Sequence, residues 1–147
     1  MNGREHTLAG VIAGPTTGIG LAIKANRAVS GPELFGWVVG GISGSKLPDL
    51  LEPADCPRHR KFAHSGTLLA ADLALIQSRT LESWIVWLKV KAAEYRRLAQ
   101  LNPESALWRS IVAGFFEFLA GVLPALLGGY ASHLVCDATT PFGIPLC

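Results

Sequence analysis

A run of about 22 residues at positions 110–131 carries a single charged side chain, Glu117, and about 20 apolar residues are enough to carry a helix across the hydrocarbon core of a bilayer. No other stretch of the chain restricts its fold so tightly. Such a run becomes either a membrane span or the central helix of an unusually apolar core. Composition favours the membrane. Charged residues make up 16% of the chain, against about 25% in soluble domains, and the mean hydropathy is +0.34. Glu117 is expensive at bilayer depth, so it should face protein or a wet cavity.

Three further apolar stretches precede this run. Residues 8–23 are rich in glycine (positions 10, 14, 18 and 20) and contain Pro15; residues 34–44 are again glycine-rich; residues 63–76 are interrupted by Asp72. Small residues at such spacing let membrane helices approach closely. Ser30-Gly31-Pro32-Glu33 reads as a helix start, with a capping residue, a proline suited to the first turn and an acid at the positive helix end. Pro48 is expected to end that helix. Residues 48–61 hold three prolines and mixed charge, which predicts a turn-rich connection. Residues 77–109 change character. Trp84, Trp87 and Leu88 alternate there with Lys89, Lys91, Arg96 and Arg97, the pattern of an amphipathic helix at an interface. The expectation is therefore an all-α, integral membrane bundle of four apolar segments plus one amphipathic interfacial insertion, within a single domain spanning residues 1–147. No compact basic region with a small-residue cleavage site opens the chain, so no cleavable signal peptide is expected. A net charge of +2, without a basic stripe, gives no reason to expect nucleic acid as a partner. Membrane lipids are the partner that the composition implies, and the oligomeric state is left open. Three cysteines, Cys56, Cys136 and Cys147, form neither a disulfide framework nor a CxxC zinc motif.

The polar residues of interest border the apolar segments. His133 and Asp137 are four apart, on one helical face about one turn apart. Asp49, His59 and His64 lie around the 48–61 connection, and His6 precedes the first segment. His59 and His64 are about 140° apart on an ideal helix; His59 is expected in the loop and His64 in the first turn of the third segment. If all four segments cross, an even number of crossings separates these six residues, and all six reach the same side. Imidazoles combined with carboxylates suit zinc or a similar divalent metal, and six ligands leave room for one ion or two. Such sites favour phosphoester hydrolysis. Arg58 and Arg60 flank His59 and are placed to contact a phosphate. His64-Ser65 does not read as a nucleophilic serine, because no strand-turn-helix elbow surrounds it.

His6 ahead of the first segment, Pro48-Asp49, His59-Arg60 with His64-Ser65, and Ser132-His133 with Asp137 and Gly143 together resemble the YdjM family, described as inner-membrane, metal-dependent hydrolases. The resemblance covers roughly residues 4–143. It implies a prokaryotic inner-membrane location, and it implies a metal site on His6, Asp49, His59, His64, His133 and Asp137. More remotely, the chain is similar to the all-helical zinc phospholipase C and P1 nuclease group. On that likeness His133 and Asp137 match a His-x-x-x-Asp/Glu helix pair, and Asp49 is placed to bridge two metals. Two other functions remain open on sequence alone. One is a scaffold or interaction protein with a structural metal. The other is a small transporter component with Glu117 and Asp72 on a polar path.

Overall fold

α5 (Ala106–Ala138) is the helix on which the others are built. At 33 residues it is about 50 Å long, and α1 (Gly3–Lys24), α2 (Gly31–Leu51), α3 (Gly66–Ile76) and α4 (Arg79–Leu101) all pack against it. A 3₁₀ turn, Pro103–Ser105, joins α4 to α5. The computed structural model describes residues 3–52 and 63–139, and no strand occurs among them. The all-α expectation holds.

Glycine sets the closest contacts. Gly36, Gly40 and Gly44 on α2 face the backbone of α5 at Phe118, Val122 and Leu126; a Cβ on Gly44 would lie 2.0 Å from the Leu126 carbonyl oxygen. The rising order on both helices makes α2 and α5 parallel. Gly10 and Gly14 on α1 face Gly41 and Trp37 on α2, so α1 runs antiparallel to α2. With no Cβ between them, the helix backbones come together and gain dispersion contact along their length. α3 and then α4 descend antiparallel to α5. Tyr130 donates to the Ala63 carbonyl near the start of α3 (2.5 Å), and Arg96 of α4 meets Glu117 of α5 at 2.7 Å. The bundle thus has four limbs, the third being α3 continued by α4 after the Gln77-Ser78 break.

Local chemistry explains the helix ends. Ser65 and Ser78 cap α3 and α4, accepting from the Leu68 and Leu81 amides at 3.2 Å. Ser30 opens α2 with proline in the first turn. α2 does not stop at Pro48. It continues to Leu51, and the Glu52 amide donates back to the Pro48 carbonyl at 2.9 Å. Pro15 and Pro124 also lie inside helices. A proline removes only one amide from the ladder, and close packing by neighbouring helices tolerates this in membrane bundles.

Many large apolar side chains face outward. Ala113, Ala120 and Ala125 are fully buried, while Ile12, Ile23 and Leu107 are 69%, 75% and 77% exposed. So much bulky apolar surface calls for a lipid environment. Two helical stretches, Arg4–Lys24 and Pro103–Ala138, are long and apolar enough to cross a membrane. α2 carries Glu33, Lys46 and Asp49, and α3 has 11 residues. Four separate apolar spans are therefore not what length and composition support.

The 77–109 stretch forms α4, its flanking turns and the first residues of α5. Leu81, Ile85 and Leu88 are buried with Ala120 of α5, while Trp84 and Trp87 face outward. Glu117 does face protein, paired with Arg96. Asp72 is buried on α3 beside an apolar crevice, and its Oδ2 has no hydrogen-bond partner among the described residues. A buried ionic junction ties the far end of the bundle together: Glu33 is fully buried and pairs with Arg27 and with Lys89, the latter at 2.7 Å. Replacing Glu33 by Ala strands two cations against a protein surface. The substitution is expected to destabilise the fold by about 3 kcal/mol, read as a lowered melting temperature in detergent. An unchanged melt would show that the junction contributes nothing.

Candidate metal centre

Four helix ends meet at one end of the bundle. His6 comes from the start of α1, Asp49 from the last turn of α2, His64 from the residues just ahead of α3, and His133 and Asp137 from the last turns of α5. His64 is not in the first turn of α3, because Ser65 takes the cap position. Capping also gives Ser65 a structural role. His59, Arg58 and Arg60 lie outside the described residues, as do Cys56, Cys147 and Gly143.

The donor atoms converge. His133 Nε2 lies 3.3 Å from Asp137 Oδ2 and 3.6 Å from Asp49 Oδ1; His64 Nε2 lies 3.7 Å from Asp137 Oδ2 and 3.4 Å from Asp49 Oδ1. These separations exceed an ordinary hydrogen bond. They match the spacing of ligands around a shared ion. Two atoms each about 2.05 Å from a tetrahedral zinc lie about 3.3 Å apart. On the other side of Asp137, Oδ1 lies 3.7 Å from His6 Nε2. The two oxygens of Asp137 thus face different imidazoles. Two ligand groups result, His6-His133-Asp137 and Asp49-His64-His133, each with donor atoms within 4.8 Å of one another.

The surroundings orient the imidazoles. His133 Nδ1 lies 2.6 Å from the Ser45 carbonyl oxygen, so this nitrogen donates and Nε2 is the atom turned toward the centre. His133 Nε2 is buried without a hydrogen-bond partner among the described residues, a state that normally carries a desolvation penalty. His64 Nδ1 lies 3.2 Å from Glu52 Oε2, the carboxylate–imidazole pairing that steadies metal-ligating histidines. His6 stacks on His133 with ring centroids 3.9 Å apart. His64 and His133 are fully buried and Asp137 almost so, whereas Asp49 is 52% exposed. Access to the centre therefore lies on the Asp49 side. The donor set and its orphaned nitrogen fit a divalent metal.

Ser45 and Glu52 were not singled out in the sequence. Their signal was spacing: Ser45, Asp49 and Glu52 fall on one face of a helix (i, i+4, i+7) once that helix runs through Pro48.

The sequence model of the YdjM inner membrane protein family matches residues 1–147. The chain belongs to the YdjM family. It is thus a member of an inner-membrane family, in keeping with its two membrane-length apolar helices. No curated protein and no solved structure matches it, and the remoter likeness of this YdjM chain to the phospholipase C and P1 nuclease group rests on the His133/Asp137 motif alone.

Proposed function

We propose that this chain is a membrane-bound, metal-dependent hydrolase of phosphoesters. The observation that supports this best is that the Nε2 atoms of His64 and His133 each lie 3.3–3.7 Å from a carboxylate oxygen of Asp49 and from one of Asp137. His6, facing the other oxygen of Asp137, adds a further donor at the same end. When bound, zinc at such a site supplies Lewis acidity toward a phosphoryl oxygen and brings the pKa of a water near neutrality. The chain's own residues do the rest. Ser45 and Glu52 fix the two imidazoles, Asp137 balances charge on both sides, and half-exposed Asp49 leaves the approach open. In this reading all four limbs cross the bilayer. α2 lies alongside α1 over most of its length, so a slab that contains α1 contains α2, and α3 with the first turns of α4 makes the third crossing. Four crossings put the start of α1, the end of α2, the start of α3 and the end of α5 on the side of the centre, and Arg58 and Arg60 are proposed as phosphate contacts and His59 as a further ligand.

Elemental analysis of detergent-purified full-length protein should find about one to two zinc ions per chain, and a chromogenic phosphodiester should be turned over, with activity lost on chelation and restored by zinc. Protein that purifies folded without metal and binds none would overturn the reading. Stoichiometric metal without turnover would reduce the centre to a structural one.

A further inference from the structure

A cavity of about 920 Å³ opens between α1 and α2 beside the candidate centre. His6 and Asp49 form its inner wall, Arg4 and Lys46 bring two cations, and Leu8 and Leu50 bring apolar surface. Its volume suits a ligand of lipid-headgroup size. Leu8 is 64% exposed and Leu50 74%, so the cavity opens onto an apolar face and not only toward water. Arg4 begins the candidate span Arg4–Lys24. A span beginning at Arg4 would put the cavity at the depth of the bilayer phosphates, with hydrocarbon immediately below.

We infer that this cavity admits a glycerophospholipid laterally from the bilayer, its phosphate held by Lys46 and Arg4 and its chains lying along Leu8 and Leu50. This deepens the hydrolase reading by naming the substrate class, and it rests on that reading only for the turnover of the lipid. Three features favour a lipid over a soluble phosphoester. The cations stand at headgroup depth, large leucines line the opening, and the access side marked by Asp49 is this same cavity. An ammonium on a long stem is suited to a phosphate at an interface. The shared chemistry is a phosphodiester anion, and its source, lipid or solute, is what an experiment must separate.

The test is photolabelling of full-length, metal-free protein in vesicles containing a photoactivatable phosphatidylglycerol. Labelling is expected on peptides carrying residues 4–8 and 45–50. Lys46→Glu should lower it about tenfold, as the loss of a charge-assisted contact and the gain of a repulsion predict, while Lys46→Arg should retain it. Leu50→Ser alters an exposed side chain that the fold does not need, and should lower labelling even if Lys46→Glu proves unstable. A soluble phosphodiester, bis(p-nitrophenyl) phosphate, should compete poorly. Labelling elsewhere on the chain, labelling indifferent to both Lys46→Glu and Leu50→Ser, or full competition by the soluble diester would overturn the inference. Because metal is absent from this assay, site-directed labelling without hydrolysis by zinc-loaded protein would refute the hydrolase reading and leave the lipid site standing. Turnover of the soluble diester without lipid labelling would do the reverse.

Discussion

Asp137→Asn is expected to lower zinc affinity by about a hundredfold or more. Replacing a hydrogen-bonded neighbour of a metal ligand already costs about ten- to a hundredfold, and here the ligand itself loses its charge. The amide keeps the shape of the side chain but cannot balance a divalent cation from both oxygens, which face His6 on one side and His64 with His133 on the other. His133→Ala should act similarly, since it removes the imidazole that both ligand groups share. The double variant should lose little more than either single one, because residues that act as a unit are not additive. Affinity in the unaltered protein should fall as pH is lowered, because protons compete with the metal for imidazole nitrogens. Glu117→Gln is the control. It breaks the pair with Arg96 but lies about 24 Å along α5 from His133, so metal content should be unchanged. Isothermal titration with zinc, alongside elemental analysis, reads all four variants. Full stoichiometry in folded Asp137→Asn and His133→Ala would reduce the end of α5 to a structural helix end.

The second large effect is on the scaffold. Gly44→Leu is expected to destabilise the bundle by about 3 kcal/mol or more, because a forced side chain in a tightly packed contact usually costs 1–3 kcal/mol and here the obstacle is backbone. The new Cβ would stand 2.0 Å from the Leu126 carbonyl oxygen, so α2 and α5 must separate along their line of contact. Separation also pulls the neighbouring Ser45 carbonyl away from His133, and metal binding should fall along with the melting temperature. Gly20→Leu is the matched control, since a Cβ there meets nothing within 4 Å. It should be neutral or slightly stabilising, as leucine is the better helix former. Equal melting temperatures for the two variants in the same detergent would show that the glycine contact does not hold the helices together.

The features legible in the sequence are those set by local rules. His133 and Asp137 meet because four residues on a helix make about one turn, whatever surrounds them. The apolar run of α5 follows from composition, and the start of α2 at Ser30-Gly31-Pro32 follows from its local residues. The grouping of His6, Asp49, His64 and the α5 pair at one end follows from counting limbs, since an even number of antiparallel passes returns a chain to the same end. What tertiary structure alone decided involves partners far apart in the chain. Glu33 read as an acid at a helix start; only packing buries it between Arg27 and Lys89. The third limb is α3 joined to α4 because 11 residues of α3 are too short to match α5, and α4 completes the limb on the same helix. α2 continues through Pro48 because α5 and α1 hold it on two sides, and that continuation alone brings Asp49 and Glu52 onto the face of Ser45. That Asp137 has an oxygen toward His6 and another toward His64 depends on where side chains from different helices point. No periodicity encodes that, because it is settled by backbones brought into contact across glycine.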